Sequence, residues 1–509
     1  MKYVVKDVID MYNFIHISIN TYVYLFYTNS KIIIMLKRFA TVKKNETSIT
    51  KVKTRKLGLL KTSILITVTL LLSKNAAHAQ LTATGQIRER TEARGGFGTL
   101  LKDNQRGAIH NTQRTRLNIG YTGYRYKFYT ALQDVRVWGQ DASTNNRYTN
   151  ANNNGLMFHE AWAELMLIDT ISKIQNLSLK MGRQEIAYDD QKVMGSLDWL
   201  QQARRHDAIV LKYANKGWVA DFGAAFNQNR ELLTGTGFEG APAGYPAGTN
   251  GLGQNYKSFQ YAYIGKKFYF GDLSFLFFKD DFQKFEGPLT APTKYLEGIN
   301  SRNTTGIYYN VNPTRKLNLN GSIYHQGGKD RFGKSLDANL ASITATYQTG
   351  RKLFLGVGVD YLSGTDEDKE AGTTSNQFDP LYGTPHKFWG YMDFFYVASP
   401  FGEQGLLNYF FKTKYVATDK LMLNLDVHGF ESAATLKGGA DSYLGTEIDL
   451  KVNYKFTKLI NLEFGYSTML AKKTMASAAV KNVATPELDA HWAYLMLNFT
   501  PNFMNTKKM

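Results

Sequence analysis

From Gln80 onward the chain alternates apolar and polar residues with a period of two, and a helical period is almost absent. In Glu447 to Phe456 every odd position is polar and every even one apolar. Leu353, Leu355, Val357, Val359 and Tyr361 share one face, against Gly356, Gly358 and Asp360. Arg114, Arg116 and Asn118 likewise oppose Thr115, Leu117 and Ile119, and Asn461, Glu463 and Gly465 oppose Leu462, Phe464 and Tyr466. The pattern predicts strands near 81–92, 111–123, 126–140, 158–168, 177–188, 206–215, 218–229, 256–269 and 272–285. It continues near 300–312, 317–325, 337–349, 352–363, 405–417, 421–433, 445–457, 459–471 and 490–503, eighteen spans in all. Most run to ten residues or more, the length a tilted membrane strand needs and longer than the roughly 5–6 usual in a soluble sandwich.

The connections alternate too. Short turns at 123–126, 215–217, 270–272, 312–316, 350–352, 418–420 and 457–459 separate long polar or Gly-rich loops. Those loops are 93–110, 141–157, 189–205, 230–254, 286–299, 364–404, 434–444 and 472–490. An even strand count with this alternation predicts an all-β fold: a transmembrane antiparallel β-barrel of about 18 strands, with short periplasmic turns and long extracellular loops. Residues 387–396 could form a nineteenth strand, but that would reverse every later turn and loop, so they belong in the 364–404 loop, folded into the mouth.

Composition agrees with this reading. Of 509 residues 32 are Tyr, 31 Phe and 44 Gly, with 10 Pro and no Cys, which excludes disulfide frameworks, Cys-ligated zinc and thiol nucleophiles. The net charge of +18 is concentrated at the front, where residues 1–79 hold 13 Lys/Arg and 3 Asp/Glu. Nothing after residue 80 gathers basic residues into a nucleic-acid module. Lys51 to Lys61, the apolar run Thr62 to Leu72 and Ala77-His78-Ala79 follow the n-region, h-region and cleavage pattern of a secretory signal. The expected organisation is a non-structural extension over 1–34, a signal region over 35–79 cleaved after Ala79, a barrel over 80–503 and a tail over 504–509.

If apolar residues face lipid, the opposite register faces the lumen. That face carries Arg88, Arg90, Arg114, Arg116, Asp134, Arg136, Glu160 and Glu164. Further along it carries Lys180, Asp221, Asp360, Lys412, Lys414, Asp426, His428, Glu447, Asp449, Lys451 and Glu463. Arg183 and Glu185 fall out of register with Leu177, Leu179 and Met181, which calls for a bulge or a position above the membrane. Such a lining can select an anionic solute, or brace a wide wall through Arg–carboxylate pairs.

The run Leu179 to Asp190, containing Gly182-Arg183-Gln184-Glu185, and the run Gly195 to Ala208, containing Asp198-Trp199, Gln201-Gln202, Arg204 and Asp207, resemble the alginate export family of outer-membrane proteins. So do Thr115 to Asn118, Leu132 to Gly139 and His386 to Asp393. The resemblance implies a monomeric 18-stranded barrel whose arginine-rich lumen passes an anionic polyuronate, narrowed by inward-folded loops. It extends the substrate path to Arg183, Glu185, Arg204 and Asp207, with Lys387, Trp389 and Asp393 at the loop constriction. The mixed charge of the lumen leaves two alternatives: a general or oligosaccharide porin with structural charges, and an adhesin acting through loops 230–254 and 364–404.

No catalytic motif, cofactor or metal site is expected. His159-Glu160 with Glu164 comes nearest, but strict alternation turns His159 away from both carboxylates. The run Asp366-Glu367-Asp368-Lys369-Glu370 reads as a solvated loop tip. The expected partners are outer-membrane lipid and lipopolysaccharide, an anionic saccharide, and a periplasmic export partner at the turns.

Overall fold

A sheet edge in hydrocarbon would leave a row of amides and carbonyls without partners, so a membrane sheet has to close on itself. The computed structural model describes residues 80–139, 156–168, 175–228, 256–287, 294–366, 374–396 and 402–506. The signal region and its extension, loop 230–254 and the acidic run beyond Asp366 lie outside these residues.

The sheet begins with β1 (Gln80–Gly95), β2 (Ala108–Thr122), β3 (Tyr126–Val137), β4 (Met157–Met166), β5 (Gln175–Gln184), β6 (His206–Asn215) and β7 (Trp218–Phe226). It continues through β8 (Ser258–Phe268), β9 (Gly271–Glu286), β10 (Lys294–Val311), β11 (Leu317–Lys329), β12 (Ser335–Gln348) and β13 (Leu353–Leu362). After the two-residue β14 (Thr374–Ser375) come β15 (Leu406–Val416), β16 (Leu421–Glu431), β17 (Tyr443–Lys455), β18 (Ile460–Ala471), β19 (Asp489–Phe499) and β20 (Asn502–Asn505).

Eighteen of these form the wall. Each pairs antiparallel with its neighbour, β13 pairs directly with β15, and β19 returns to β1 with Phe499 opposite Ile87. The β13–β15 pairing keeps residues 387–396 out of the wall, as the turn alternation requires, while Thr374 and Ser375 of β14 pair parallel with the first residues of β12. At the C-terminus Pro501 has no N–H to donate; the strand bulges there, Gly85 N donates to Pro501 O at 2.9 Å, and β20 resumes along β1.

The outer face is apolar. Ile209, Leu211, Phe222, Leu273, Phe275, Val357, Phe411, Leu425, Phe464 and Leu495 are exposed in the outward register. An aromatic girdle marks the short-turn end: Tyr124, Tyr126, Trp218, Phe268, Tyr269, Phe270, Tyr415 and Phe456. Strands β9 to β12 extend further than alternation suggests. β10 begins at Lys294, with a register shift between Tyr295 and Ile299, and Asp330 Oδ1 closes the β11–β12 connection by accepting from Phe332 N and Lys334 N, each at 2.9 Å.

Cross-strand Gly–aromatic pairs recur on the inner face. Gly223 lies opposite Tyr261 and Gly465 opposite Tyr494. In both, a Cβ on the glycine would overlap the ring. The rings cannot easily move aside, because Tyr261 Oη lies 2.9 Å from Tyr188 Oη and Tyr494 Oη donates to Glu463 at 2.8 Å. Gly223→Ala and Gly465→Ala are therefore expected to destabilise the barrel by about 1–3 kcal/mol each through overpacking. A urea titration read by the folded band on an unheated gel checks this; unchanged midpoints would show that the rings yield freely.

Candidate functional site: the lumen and its inward-folded segments

Two loop segments enter the barrel, residues 185–205 between β5 and β6 and residues 374–396 between β13 and β15. Each makes sharp left-handed turns at non-glycine residues, Asp189, Gln191, Leu197 and Ala203 in the first and Leu381, Asp393 and Tyr396 in the second. Such conformations persist only where surrounding contacts hold them.

The first segment is held by arginines of β1 and β2. Arg88 donates from Nη1 to Asp198 O at 2.7 Å, from Nη2 to Leu200 O at 3.0 Å and from Nε to Gln201 Oε1 at 3.0 Å. Arg114 Nη1 donates to Asp198 Oδ1 at 2.7 Å, and Arg116 Nη1 stands 3.6 Å from the same oxygen. Arg90 donates to Glu92 at 2.8 Å and to Trp199 O at 2.9 Å, with its guanidinium 4.2 Å over the Trp199 ring. Burial pushes the Asp198 carboxyl pKa up, but Arg114, Arg88 and Arg116 outweigh it and hold the group below the usual carboxylate range.

The second segment is joined to the first and to the far wall. Tyr382 N donates to Val193 O at 3.0 Å, Gly195 N to Tyr382 O at 2.9 Å and Thr384 N to Gln191 O at 2.8 Å. Arg204 binds the carbonyls of Tyr382, Gly383 and Gly195. Lys192 Nζ meets Asp360 Oδ1 at 2.6 Å, and Trp389 Nε1 donates to Asp360 Oδ2 at 3.2 Å. Tyr382 Oη donates to Asp280 at 2.9 Å, where Arg302 of β10 forms a bidentate pair and also reaches Asp379 at 2.7 Å. His386 Nδ1 lies 2.6 Å from Asp393 Oδ1, and its ring stacks on Trp199 at 4.1 Å. Trp389, Met392, Phe394 and Phe395 are fully buried, giving the barrel an apolar core of its own.

The expected path residues thus separate into groups. Arg88, Arg90, Arg114, Arg116 and Arg204 converge on the folded-in segments. Trp389 and Asp393 are buried anchors, whereas Lys387 is exposed, with Nζ donating to Asp190 O at 3.0 Å. Glu164 accepts from Ser178 at 2.7 Å and Lys127 at 3.1 Å.

Four of those residues face outward instead. Buried Gln133 points inward, donating to Gln202 O at 3.1 Å, so its neighbour Asp134, paired with Thr115, and Arg136 turn out and bind each other at 2.6 Å. Asp207 shares the parity of exposed Ile209 and Leu211, and it takes Arg183 with it in a pair 2.8 Å apart. Arg183 is in register after all; only Glu185, beyond the end of β5, turns in.

The expectation for His159 also fails. Glu160 of β4 faces Ala131 and Phe158 faces Leu132, leaving His159 as an extra residue in a bulge. A bulge places two successive side chains on one face. His159 therefore points inward beside Glu160, with Nε2 2.8 Å from Glu185 Oε1.

Sequence reasoning missed Lys127, Lys212, Asp198 and the Arg302–Asp280 pair. The parity of Val210 with Lys212 was available to find that lysine. Around Arg302 both faces are polar, so parity said nothing. Three inner-wall ion pairs share an asymmetry: side-chain exposure is 41% for Lys127 against 10% for Glu164, 40% for Lys212 against 4% for Asp221, and 28% for Lys412 against 6% for Asp426.

The family model described as alginate export matches residues 79–398. Among solved structures the chain is similar to OpdL of Pseudomonas aeruginosa, with a TM-score of 0.53 at 11% identity, over 83% of this chain and 99% of that one. Pseudomonas aeruginosa OpdQ gives a TM-score of 0.50 at 15% identity, over 83% and 98% of the two chains. The outer membrane protein OpdK of the same organism gives 0.51 at 11% identity, over 84% and 99%. At these identities the likeness is one of fold. No curated protein matches the chain in sequence.

Asp198→Asn is expected to release segment 185–205 while leaving the wall intact, seen as new proteolysis within the segment and larger single-channel conductance. Because the Asp198 pKa is lowered in the fold, its ionised form adds stability above the ordinary value of about 3.9 and loses it as pH falls through the lowered one. Conductance of the unmodified barrel should therefore be flat from pH 8 to about 4 and rise only below. A rise already at pH 6 would place the anchor elsewhere.

Proposed function

The chain belongs to the alginate export family; it is an outer-membrane channel of the porin type, and we propose that its lumen passes acidic oligo- or polysaccharide. The observation that supports this reading is the asymmetry of the three inner-wall pairs. Lys127, Lys212 and Lys412 turn their ammonium groups to the lumen while their carboxylate partners stay against the wall. A wall near charge balance then presents positive charge to a solute. Partner carboxylates soften each lysine, so a polyanion is attracted without being trapped, as conduction requires.

Arginine has a different part in this reading. Arg88, Arg90 and Arg114 are buried under segment 185–205, so their donors hold the constriction in shape. Exposed lysines, with Lys387 on the inward-folded segment, meet the solute. The stacked Tyr129 and Trp162 rings, centroids 5.4 Å apart, add an apolar face suited to a sugar ring.

Reversal potentials in a planar bilayer under a salt gradient test the proposal. The barrel should be anion-selective, with block by acidic but not by neutral oligosaccharides of equal length. The triple variant Lys127→Gln, Lys212→Gln, Lys412→Gln should lose most of that selectivity while folding normally. Weak selectivity with no block by acidic sugars would leave a general diffusion porin.

A further inference from the structure

Two irregularities on neighbouring strands bring three metal-ligating side chains to one place on the inner wall. The bulge in β4 turns His159 and Glu160 to the same face. On β5, Gly182 adopts a φ of 117°, where a Cβ would overlap the carbonyl oxygen of Ala161. The chain leaves the sheet two residues later, after Gln184, and Glu185 turns toward His159. His159, Glu160 and Glu185 each then offer one ligand atom, all within 4.8 Å of one another.

We infer that these three residues form a binding site for a divalent transition-metal ion of the Zn2+ type. One imidazole and two carboxylates suit zinc or its neighbours, while the nitrogen ligand disfavours magnesium and calcium. Metal–ligand bonds of about 2.0–2.2 Å put ligand atoms roughly 3–3.5 Å apart, so small side-chain rotations from the present spacing complete the set. The first ligand is already placed, because Glu160 Oε2 accepts from Trp162 Nε1 at 3.0 Å and from Glu185 N at 3.1 Å. Those outer hydrogen bonds orient the carboxylate before any metal arrives. His159 is fully buried, whereas Glu185 keeps 30% of its side-chain surface open, which gives an ion its entry from the lumen.

Two features limit the affinity. Nδ1 of His159 is buried with no hydrogen-bond partner among the described residues, so the outer bond that usually strengthens such a ligand, worth about 10–100-fold, is missing. Arg116, Arg205 and Arg114 also lie within electrostatic reach of His159 and oppose a second cation. Micromolar binding is expected. Since Glu185 begins segment 185–205, the bound ion would join that segment to β4.

Titration of the untagged, purified barrel with Zn2+ against a chromophoric chelator, repeated with Co2+ for its absorption spectrum, tests the site without regard to any solute. One equivalent should bind at micromolar concentration, and Co2+ should give the absorption of a nitrogen- and oxygen-ligated ion. His159→Gln and Glu185→Gln, each shown to be folded by its unheated gel band, should weaken binding at least tenfold. Glu160→Gln is the second route should His159→Gln fail to fold. Absence of stoichiometric binding to the unmodified barrel, or unchanged binding in the folded variants, overturns the inference.

Discussion

Closure of the backbone hydrogen-bond ladder is the constraint on which everything else in this molecule rests. Hydrocarbon offers no partners for N–H and C=O, so β19 has to return to β1, and the C-terminal strand continues past Pro501 to complete that seam. Once closed, the wall has one apolar face for lipid, and each alternate side chain is sent inward. The inner surface therefore collects charge as a by-product of the outer one.

A collected charge needs compensation, and the chain supplies it in two ways. Midway along β1 and β2, their arginines take the Asp198 carboxylate and the backbone carbonyls of segment 185–205. A guanidinium has five donors in a planar fork, so one arginine can hold several carbonyls of a segment that has no secondary structure of its own. Toward the turn end, lysines pair with carboxylates set deeper in the wall. The first arrangement buries its guanidinium charges in architecture and leaves only the Asp198 carboxylate half exposed, while the second leaves lysine charge facing the lumen. Counting luminal charges without asking what each one touches would merge the two.

The constriction is correspondingly a small folded core. Tyr382, Trp389, Met392, Phe394 and Phe395 are buried among inward aromatics of β8, β9 and β16, including Phe259, Phe278 and Phe430. Its polar anchors, Lys192–Asp360 and Arg302–Asp280, are buried ion pairs with further partners: Asp360 also accepts from Trp389 and Asn408, Asp280 from Tyr382, and Arg302 also reaches Asp379. Buried pairs with such supplementary partners are costly to break on one side only.

Eighteen strands, their order, the turn end and the exclusion of 387–396 from the wall all followed from sequence, because a period of two and the length of each connection are local properties. Inner or outer placement was legible wherever apolar residues set the parity, as for Arg114 and Arg116 beside Leu117. It failed at Asp134 and Arg136, where the apolar Val135 and Val137 face inward, Val135 opposite Arg114, and so reverse the parity set by Phe128 and Leu132, and at His159, where one extra residue changes the face. Those are long-range matters: a bulge exists only relative to the partner strand, and a polar side chain has no preferred face until its partner is in place. Sequence by itself thus determined that the chain closes into a membrane barrel with charge inside it. Only the tertiary structure decided which of those charges are spent on holding the inward-folded segments and which still face the lumen.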